Sequence, residues 1–550
     1  MTSNPLENPL YYLHNFQQVL SWLDQRYADV LSAEEQRFIA DFSVLEQPSQ
    51  ALLVRMVMRK GHHFRLSRLA YPEIGDSARA LAPLLELGWV DEQAPLAVDE
   101  LFGLLQKAEL QQCFSAQALP AKARKDQWRE ILQALYPQPR AFAQWCPGFG
   151  DRLFSLTIMT LCDRLRLMFF GNLYQDWSEF VLADLGIYSY EKVEIDAQAR
   201  GLRSRDDVDG FIYLHRCQEA FEAGHPLPEV LALVVAFESA NPWLHKRRSK
   251  LLFLLGQHCE RLAHWPLAHQ IYQQCTYPGA RLRLIRVLER SDEYSAALAL
   301  AEQAWAAPHS AAEAQQLARV LPRLRRKLGG PVVARPSRPE VTRLDLCLPR
   351  EDESLAVEQV VQAHLQQAHA PVHYVENSLI NSLFGLLCWP AIFAPLPGAF
   401  FHPFQRGPVD LLSEDFHERR SELFQACLDE LDDGRYRDSI RQRFASKWGL
   451  QSPFVFWGAL SEELLEQALD CLPAAHLKHW FERLLLDIKA NRAGMPDLIQ
   501  FWPEDRTYRM IEVKGPGDRL QDNQLRWLDF CQEHGMPVAV CYVQWREPSL

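Results

Sequence analysis

The sequence lacks the short motifs by which several large enzyme classes are recognised. It contains no Gly-x-x-x-x-Gly-Lys phosphate loop, no Gly-x-Ser-x-Gly nucleophile elbow and no dinucleotide-binding fingerprint. Each of these motifs holds a phosphate or a nucleophile in place, so ATP-driven and acyl-transfer chemistry have no support here.

Paired cysteines are missing as well. The 12 cysteines are scattered, and no two of them form a Cys-x-x-Cys pair. This spacing suits a reducing compartment and argues against a disulfide framework or a four-cysteine zinc site. His258, Cys259, His264 and His269 are neighbours in sequence but lack a usual zinc spacing, so ordinary helix packing explains them better.

Long apolar runs and targeting signals are also lacking. No apolar stretch approaches the roughly 20 residues that span a bilayer. The start, MTSNPLENPLYYLHNF, has no basic segment followed by an apolar one, as a secretory signal would. We therefore expect a cytoplasmic protein, associated with the nucleoid if it binds DNA.

An overall positive charge, which would favour nucleic acid, is absent: the formal net charge is −12. Binding depends on local patches, however, and the chain contains several basic clusters. For any one cluster the alternative is a solvated helix face; together they favour a groove that follows DNA phosphates. The clusters are Arg55, Arg59, Lys60, Arg65 and Arg68; Lys122, Arg124 and Lys125; Lys246, Arg247, Arg248 and Lys250; and Arg323, Arg325, Arg326 and Lys327.

With 550 residues, the chain is long enough for several domains, and its patterning is mainly helical. Residues 1–65 and 66–130 read as helical segments, the second a small module that could bind DNA or be any compact helical domain. Residues 131–370 begin with successive helical hairpins in which Gly256 and Ala268 are spaced as in tetratricopeptide-like arrays. They include a glycine- and proline-rich linker, GGPVVARPSRPE. We place the last domain at 371–550.

Strand patterns are strongest near the C-terminus, in DLIQFW, TYRMIEVK and PVAVCYVQW. A helix separates the second from the third, which predicts an α/β core with helices packed on it. Asp497 opens the first strand, and Glu512 and Lys514 share one face of the second, because side chains alternate along a strand. The PEDR turn then brings two carboxylates and an ammonium together.

Two carboxylates at one point suit a hard divalent cation, Mg²⁺ or Mn²⁺. Such an ion lowers the pKa of water and polarises a phosphoryl group, and Lys514 could orient the attacking water. Gln524 is polar on the otherwise apolar face of the next helix; it is either a hydrogen-bonding residue of the site or a boundary residue. The alternative for the motif is an exposed hairpin with a Glu–Lys pair.

The Pro-Asp, Glu-x-Lys and Gln-x-x-Trp elements of "GMPDLI…IEVKGPGDRLQDNQLRWL" resemble the PD-(D/E)xK nuclease superfamily, in particular its VRR-NUC branch. Upstream, "ENSLINSLFGLLCWPAIF" and the helical array are similar to the Fanconi-associated nuclease family, in a bacterial-type member. The resemblance implies a restriction-endonuclease-like domain at 371–550 and a DNA-binding module of SAP type at 66–130.

The resemblance also implies roles for individual residues. Asp497, Glu512, the Val513 carbonyl and Glu376, which opens the helix at ENSLINSLFG, would be metal ligands, with Lys514 the catalytic lysine. Lys489 and Arg492 would be phosphate contacts; the alternative is the solvated end of a helix.

The implied activity is cleavage of branched double-stranded DNA. A 5′-flap endonuclease and 5′-to-3′ exonuclease acting in interstrand crosslink repair is the expected enzyme, with other repair proteins as possible partners. A helical-repeat scaffold with an inert C-terminal domain is the competing hypothesis, although an inert domain has no reason to cluster two acids and a lysine.

Overall fold

A computed structural model of the chain describes residues 8–115, 120, 122–175, 177, 188–196, 198–331, 341–349 and 354–546. The chain divides into two compact units. One comprises Met1–Tyr188 with Asp196–Asp209, and the other Ser189–Ile195 with Gly210–Leu550. No helix among the described residues is both long and apolar enough to cross a membrane.

The first unit is mainly helical, with one small antiparallel sheet that takes its strands from distant parts of the chain. The sheet has the order β1-β3-β2 and pairs Phe64 with Phe154 and Val90 with Leu156. Its helices are α1 (Tyr11–Tyr27), α2 (Ala33–Val44), α3 (Gln47–Val57), α4 (Ser77–Glu86), α5 (Val98–Leu104), α6 (Lys107–Cys113), α7 (Lys125–Leu135), α8 (Phe142–Trp145) and α9 (Met159–Phe170), and its strands β1 (His63–Arg65), β2 (Val90–Asp91) and β3 (Leu153–Leu156).

A disulfide joins Cys113 to Cys146 in this unit, across a sequence separation of 33. The sequence argued against a disulfide framework, and this disulfide shows that the expectation was wrong for one pair of cysteines. The two sulfurs meet because α6 and α8 pack into one apolar core, which includes Trp128 and Trp145. Sequence spacing alone carries no sign of such a contact.

Helix α10 (Arg205–Glu222) carries the chain into the second unit, which begins with an array of antiparallel helices. The array confirms the expected helical repeat: Gly256 lies where two helices cross, against the Tyr272 ring. Its helices are α11 (Leu227–Ala236), α12 (Pro242–Arg261), α13 (Trp265–Gln273), α14 (Ala280–Arg290), α15 (Tyr294–Ala306) and α16 (Ala311–Lys327).

A five-stranded mixed sheet with the order β4-β8-β7-β6-β5 forms the α/β part of this unit. The three strands expected from the sequence are confirmed as β6, β7 and β8. The sheet also takes in β4 and β5, and β4 precedes the boundary placed at residue 371. The strands are β4 (Thr342–Leu348), β5 (Val372–Tyr374), β6 (Leu498–Trp502), β7 (Thr507–Lys514) and β8 (Val538–Trp545).

Nine helices among the described residues surround this sheet. They are α17 (Val357–Leu365), α18 (Leu379–Leu387), α19 (Trp389–Ile392), α20 (Ser421–Asp433), α21 (Tyr436–Ser446), α22 (Glu462–Cys471), α23 (Ala474–Leu486), α24 (Ile488–Asn491) and α25 (Asp522–Glu533). Val361 of α17 packs with Leu498, Ile511 and Val513 in one buried cluster, which anchors the face of β6 and β7 that carries no acids.

The helix crossing at Gly256 leads to a stability prediction. A Cβ at this position would lie 2.6–2.7 Å from two atoms of the Tyr272 ring, so Gly256→Ala must force the helices or the ring apart. We expect a loss of about 1–3 kcal/mol in denaturant unfolding. Gly103→Ala is the matched helical control, since its Cβ would meet nothing within 4 Å; equal stability of the two variants would contradict the prediction.

Candidate active site

The pairing of β6 with β7 sets the geometry of the site. Leu498 pairs with Ile511 in the antiparallel ladder, so the residues one step beyond, Asp497 and Glu512, stand opposite each other. Leu498 and Ile511 enter the apolar cluster beneath the sheet. Because side chains alternate, Asp497 and Glu512 share the opposite face. Opposed residues have Cβ atoms about 4.5–5.5 Å apart, which is close enough for both carboxylates to reach one ion.

The motif side chains are buried, not solvated: the exposed fraction is 6% for Asp497, 0% for Glu512 and 8% for Lys514. Lys514 Nζ donates to Glu512 Oε1 at 2.6 Å. Glu512 Oε2 is buried and, in the described part of the chain, accepts no hydrogen bond. A buried carboxylate oxygen without a donor is costly, so Glu512 Oε2 is suited to bind a cation. An exposed hairpin with a surface Glu–Lys pair does not describe this site.

Burial also perturbs both acids. It raises the pKa of Asp497 to about 6, although the Val513 N–H and the Lys514 charge oppose the shift. Burial, followed by the charge of Asp497, raises the pKa of Glu512 to about 7, against the opposing effect of Lys514. Two carboxylates that resist ionising together are a typical setting for a bound cation, which would stabilise both anions.

The backbone of Val513 belongs to the same arrangement. Its N–H donates to Asp497 Oδ2 at 2.8 Å. In an extended strand, the N–H and C=O of one residue point to the same side, so the Val513 carbonyl also faces the Asp497 end of β6. This orientation is compatible with the ligand role that the family resemblance implies.

Glu376 lies in a turn and not, as expected, at the start of a helix. It does not open a helix: α18 begins at Leu379, and Glu376 stands in the turn between β5 and α18. Its carboxylate accepts from the Tyr374 hydroxyl at 2.6 Å and from Asn377 Nδ2 at 3.1 Å. Although it is exposed, its charge contributes to the raised pKa values of Asp497 and Glu512, so it stands near both.

The donor set fits a hard divalent ion in part. Among the described residues, no three His, Cys, Asp or Glu side chains are placed to hold a metal directly. Asp497 and Glu512, with the unpartnered Glu512 Oε2, offer oxygen donors, and Mg²⁺ commonly completes its shell with water. Glu376 would have to turn from Tyr374 to join them.

Gln524 serves a structural purpose in α25. Its side-chain oxygen accepts from the Gln521 N–H at 2.8 Å, closing the capping box at the start of the helix. No recorded hydrogen bond among the described residues joins Gln524 to Glu512 or Lys514, and its role as a catalytic or hydrogen-bonding residue of the site stays a prediction.

Sequence reasoning missed Asn377 and Asn381. Asn381 Nδ2 donates to the carbonyls of Asn377 and Arg492, at 2.7 and 2.9 Å. The Asn377 oxygen in turn accepts from the Gly494 and Met495 N–H groups. The available signal was the pair of asparagines on either side of SLI in ENSLINSLF: Asn381 is 1% exposed on a helix whose other residues, apart from Ser382, are not polar.

Most of the expected DNA-binding cations have partners inside their own unit. Arg55 pairs with Glu73, Arg65 with Asp151, and Lys246 with Asp415. Arg247 stacks on Phe211, Arg248 donates to the last carbonyls of α11, and Arg492 donates to the Pro453 carbonyl. Arg59 donates to the Arg68 carbonyl. The exposed members are Arg59, Lys60, Arg68, Lys246 and Lys489.

Comparisons with known proteins identify the family. Three family models match: a "VRR-NUC domain" at residues 431–545, a "FAN1, HTH domain" at 10–91 and a "Fanconi anemia-associated nuclease SAP domain" at 95–145. The Fanconi-associated nuclease 1 homolog of Pseudomonas aeruginosa is 60% identical over 99% of this chain and 98% of its own length. The chain belongs to the Fanconi-associated nuclease 1 family.

Other members of the Fanconi-associated nuclease 1 family are more distant. The Arabidopsis thaliana homolog is 24% identical over 97% of this chain, whereas the human protein matches at 32% over only 34% of it. The crystal structure of paFAN1 bound to 5′-flap DNA with a two-nucleotide flap and a gap superimposes with a TM-score of 0.92, at 60% identity, over 98% of this chain and 99% of that one.

Family membership confirms the predicted fold class and decides between the two hypotheses. The chain is a structure-specific nuclease that hydrolyses DNA phosphodiester bonds and depends on a divalent metal, not an inert scaffold. Helix-turn-helix and SAP domains precede its helical array and its VRR-NUC domain. The domain boundaries and the roles of individual site residues stay predictions.

The two raised pKa values lead to a prediction about pH. Without metal, the protonated acids favour the folded state, because their folded pKa values of about 6 and 7 exceed the ordinary 3.8 and 4.5. This stabilisation is complete below pH 4 and is lost as pH rises through 6 to 7. Because a cation binds the deprotonated acids, we expect Mg²⁺ to raise the melting temperature strongly at pH 8 and little at pH 5.

The measurement is the melting temperature between pH 5 and 8, with EDTA or with excess Mg²⁺. Glu512→Gln is the control, since its side chain does not titrate and offers a poorer ligand; its metal-induced shift should be small at every pH. A parental shift of the same size at pH 5 and pH 8 would count against the assignment of these acids.

Proposed function

We propose that the protein is a 5′-flap endonuclease with 5′-to-3′ exonuclease activity, using Mg²⁺ or Mn²⁺ held by Asp497, Glu512, the Val513 carbonyl and Glu376. The observation that carries the chemistry is the opposition of two buried acids on neighbouring strands, with Glu512 Oε2 unpartnered. The full-length likeness to paFAN1, which was crystallised on 5′-flap DNA, supports the substrate.

The side chains would divide the work as follows. When bound, a divalent ion would lower the pKa of water and neutralise charge on the phosphate. Asp497 and Glu512 would hold it, because one oxygen of each carboxylate is already fixed by a hydrogen bond, from the Val513 N–H and from Lys514. Lys514 is held at Glu512 by a 2.6 Å hydrogen bond; on substrate binding its ammonium can orient the attacking water or stabilise the crowded negative charge.

Shape, and not base sequence, would guide binding, since phosphate contacts position a protein without reading bases. We propose the exposed cations Lys60 and Arg68, in the first unit, and Lys489, in the short helix α24 that ends six residues before Asp497, as phosphate contacts. Arg55, Arg65, Arg247, Arg248 and Arg492 already have partners in the fold and would act more by shaping the surface.

The cellular role that fits this activity is repair of branched intermediates, including those at interstrand crosslinks, on DNA in the cytoplasm. A 5′ flap is the structure left when a strand is displaced at a junction. Other repair proteins would supply the junction.

Cleavage of matched labelled junctions tests the substrate. We expect cutting of the flap-bearing strand near the junction on 5′-flap DNA, with Mg²⁺ or Mn²⁺ and not with EDTA. A 3′ flap of the same sequence and a blunt duplex should be cut at least about tenfold more slowly. Equal rates on the 3′ and 5′ flaps would show that the proposed polarity is wrong.

Substitution of the motif tests the chemistry. We expect Asp497→Ala and Lys514→Ala to abolish cleavage, a loss of at least about 10²–10⁴-fold for groups acting on the attacking water, while flap binding in a mobility-shift assay is retained. Lys478→Ala is the matched control: this lysine pairs with Asp432 on the surface of the same domain. Undiminished cutting by either motif variant would refute the site.

A further inference from the structure

The side chain of Asn377 spans two parts of the site that are more than 100 residues apart in sequence. Its Oδ1 accepts from the Gly494 N–H at 2.8 Å and from the Met495 N–H at 3.1 Å. Backbone N–H groups can only donate, so the carboxamide oxygen must face them and the nitrogen must face away. That nitrogen donates to Glu376 Oε1 at 3.1 Å.

Both ends of this bridge lead to proposed metal ligands. Gly494 and Met495 are followed by Pro496, whose φ is fixed, and then by Asp497, immediately before β6. The Asp497 carbonyl accepts from the Val375 N–H at 2.8 Å. One carboxamide therefore ties the loop that delivers Asp497 to the turn that carries Glu376.

The Asn377 bridge between Glu376 and the Gly494–Asp497 loop is held on both sides, which leaves it little freedom to move. On its other side the Gly494 loop faces α25: a Cβ at Gly494 would lie 2.7–2.8 Å from three atoms of the Asn523 side chain, and its φ is +94°. The Asn377 carbonyl is held as well, by Asn381 Nδ2 at 2.7 Å. The loop is therefore confined between the Asn523 side chain and the Asn377 carboxamide.

The backbone of Asn377 is itself unusual. Its φ is +51°, in the left-handed region that most side chains avoid. Asparagine tolerates this region better than other residues with side chains, but glycine adopts it at no steric cost. Glycine would satisfy the backbone equally well, so the backbone alone does not require the carboxamide.

We propose that Asn377 is a positioning residue of the metal centre: its carboxamide fixes Glu376 and the Gly494–Asp497 loop relative to each other, and so sets the spacing of the acids that hold the cation. It acts through those acids and does not touch substrate. The inference rests on the proposed function, because it needs Glu376 and Asp497 to serve one metal.

Two variants separate the side chain from the backbone. Asn377→Ala removes the bridge and leaves a strained φ, whereas Asn377→Gly removes the bridge without strain. We expect both to raise the Mg²⁺ and Mn²⁺ concentrations for half-maximal cleavage about 10- to 100-fold, as loss of a residue that orients metal ligands commonly does. kcat at a fixed low metal concentration should fall, with KM for 5′-flap DNA unchanged.

A second readout does not depend on catalysis. Titration of Mg²⁺ or Mn²⁺ into the protein without DNA, followed by the rise in melting temperature, should show the same 10- to 100-fold weakening in both variants. Asp292→Ala is the control: Asp292 also has a left-handed backbone, with φ of +60°, and accepts from the Tyr294 hydroxyl far along the chain in the helical array. It should keep the parental metal response.

The outcomes separate the two proposals. If the parental chain is stabilised by metal and cuts flaps, and Asn377→Gly matches it in both assays, the carboxamide has no positioning role and this inference is overturned. If the parental chain shows neither metal-induced stabilisation nor cleavage, the proposed metal centre fails first, and the inference with it.

Discussion

The antiparallel register of β6 on β7 is the constraint on which the site depends. It places Asp497 and Glu512 opposite each other, at the end of the ladder that Leu498 and Ile511 begin. Burial raises the pKa values of both acids, and the charge of Asp497 raises that of Glu512 further. A slip of one residue would send the acids into the apolar cluster under the sheet, so that cluster selects the register.

The surroundings hold this arrangement from several directions. Asn377 and Asn381 fix the loop before Asp497, and α25 closes its other side through Asn523. The start of α25 in turn forms an ion pair with the helical array: Arg319 of α16 donates to the Asp522 carboxylate at 2.7 Å. Residues from three distant stretches of the chain therefore meet around one small pair of carboxylates.

Much of the site could be predicted from the sequence, because its three motif residues lie close to one another along the chain. Asp497, Glu512 and Lys514 lie on two consecutive strands joined by a tight turn, so alternation alone places them together. Strands β6, β7 and β8 were found because their apolar runs are long. Strand β5 has only three residues, which is too short for a recognisable pattern. Strand β4 is longer, but it follows directly on the linker and has no long apolar run, because polar residues alternate with its leucines.

What the sequence could not supply depends on long-range packing. The Cys113–Cys146 pair and the carboxamide bridge of Asn377 join residues whose separation carries no signal. Local pattern likewise misplaced Glu376 at the opening of a helix that begins three residues later. The basic clusters show a different limit of sequence analysis. The positive charges can be read from the sequence, but the carboxylates and carbonyls that bind Arg55, Arg65 and Arg248 within the fold cannot.

The position of β8 has a consequence for how the enzyme comes into being. This strand lies between β4 and β7, pairing in parallel with both, and in chain order it follows every helical domain. Domains fold as they leave the ribosome, N-terminal first. The helical domains can therefore fold while Glu512 still lacks the neighbouring strand that holds its own strand in place, and the acidic pair can be assembled only after β8 has been made.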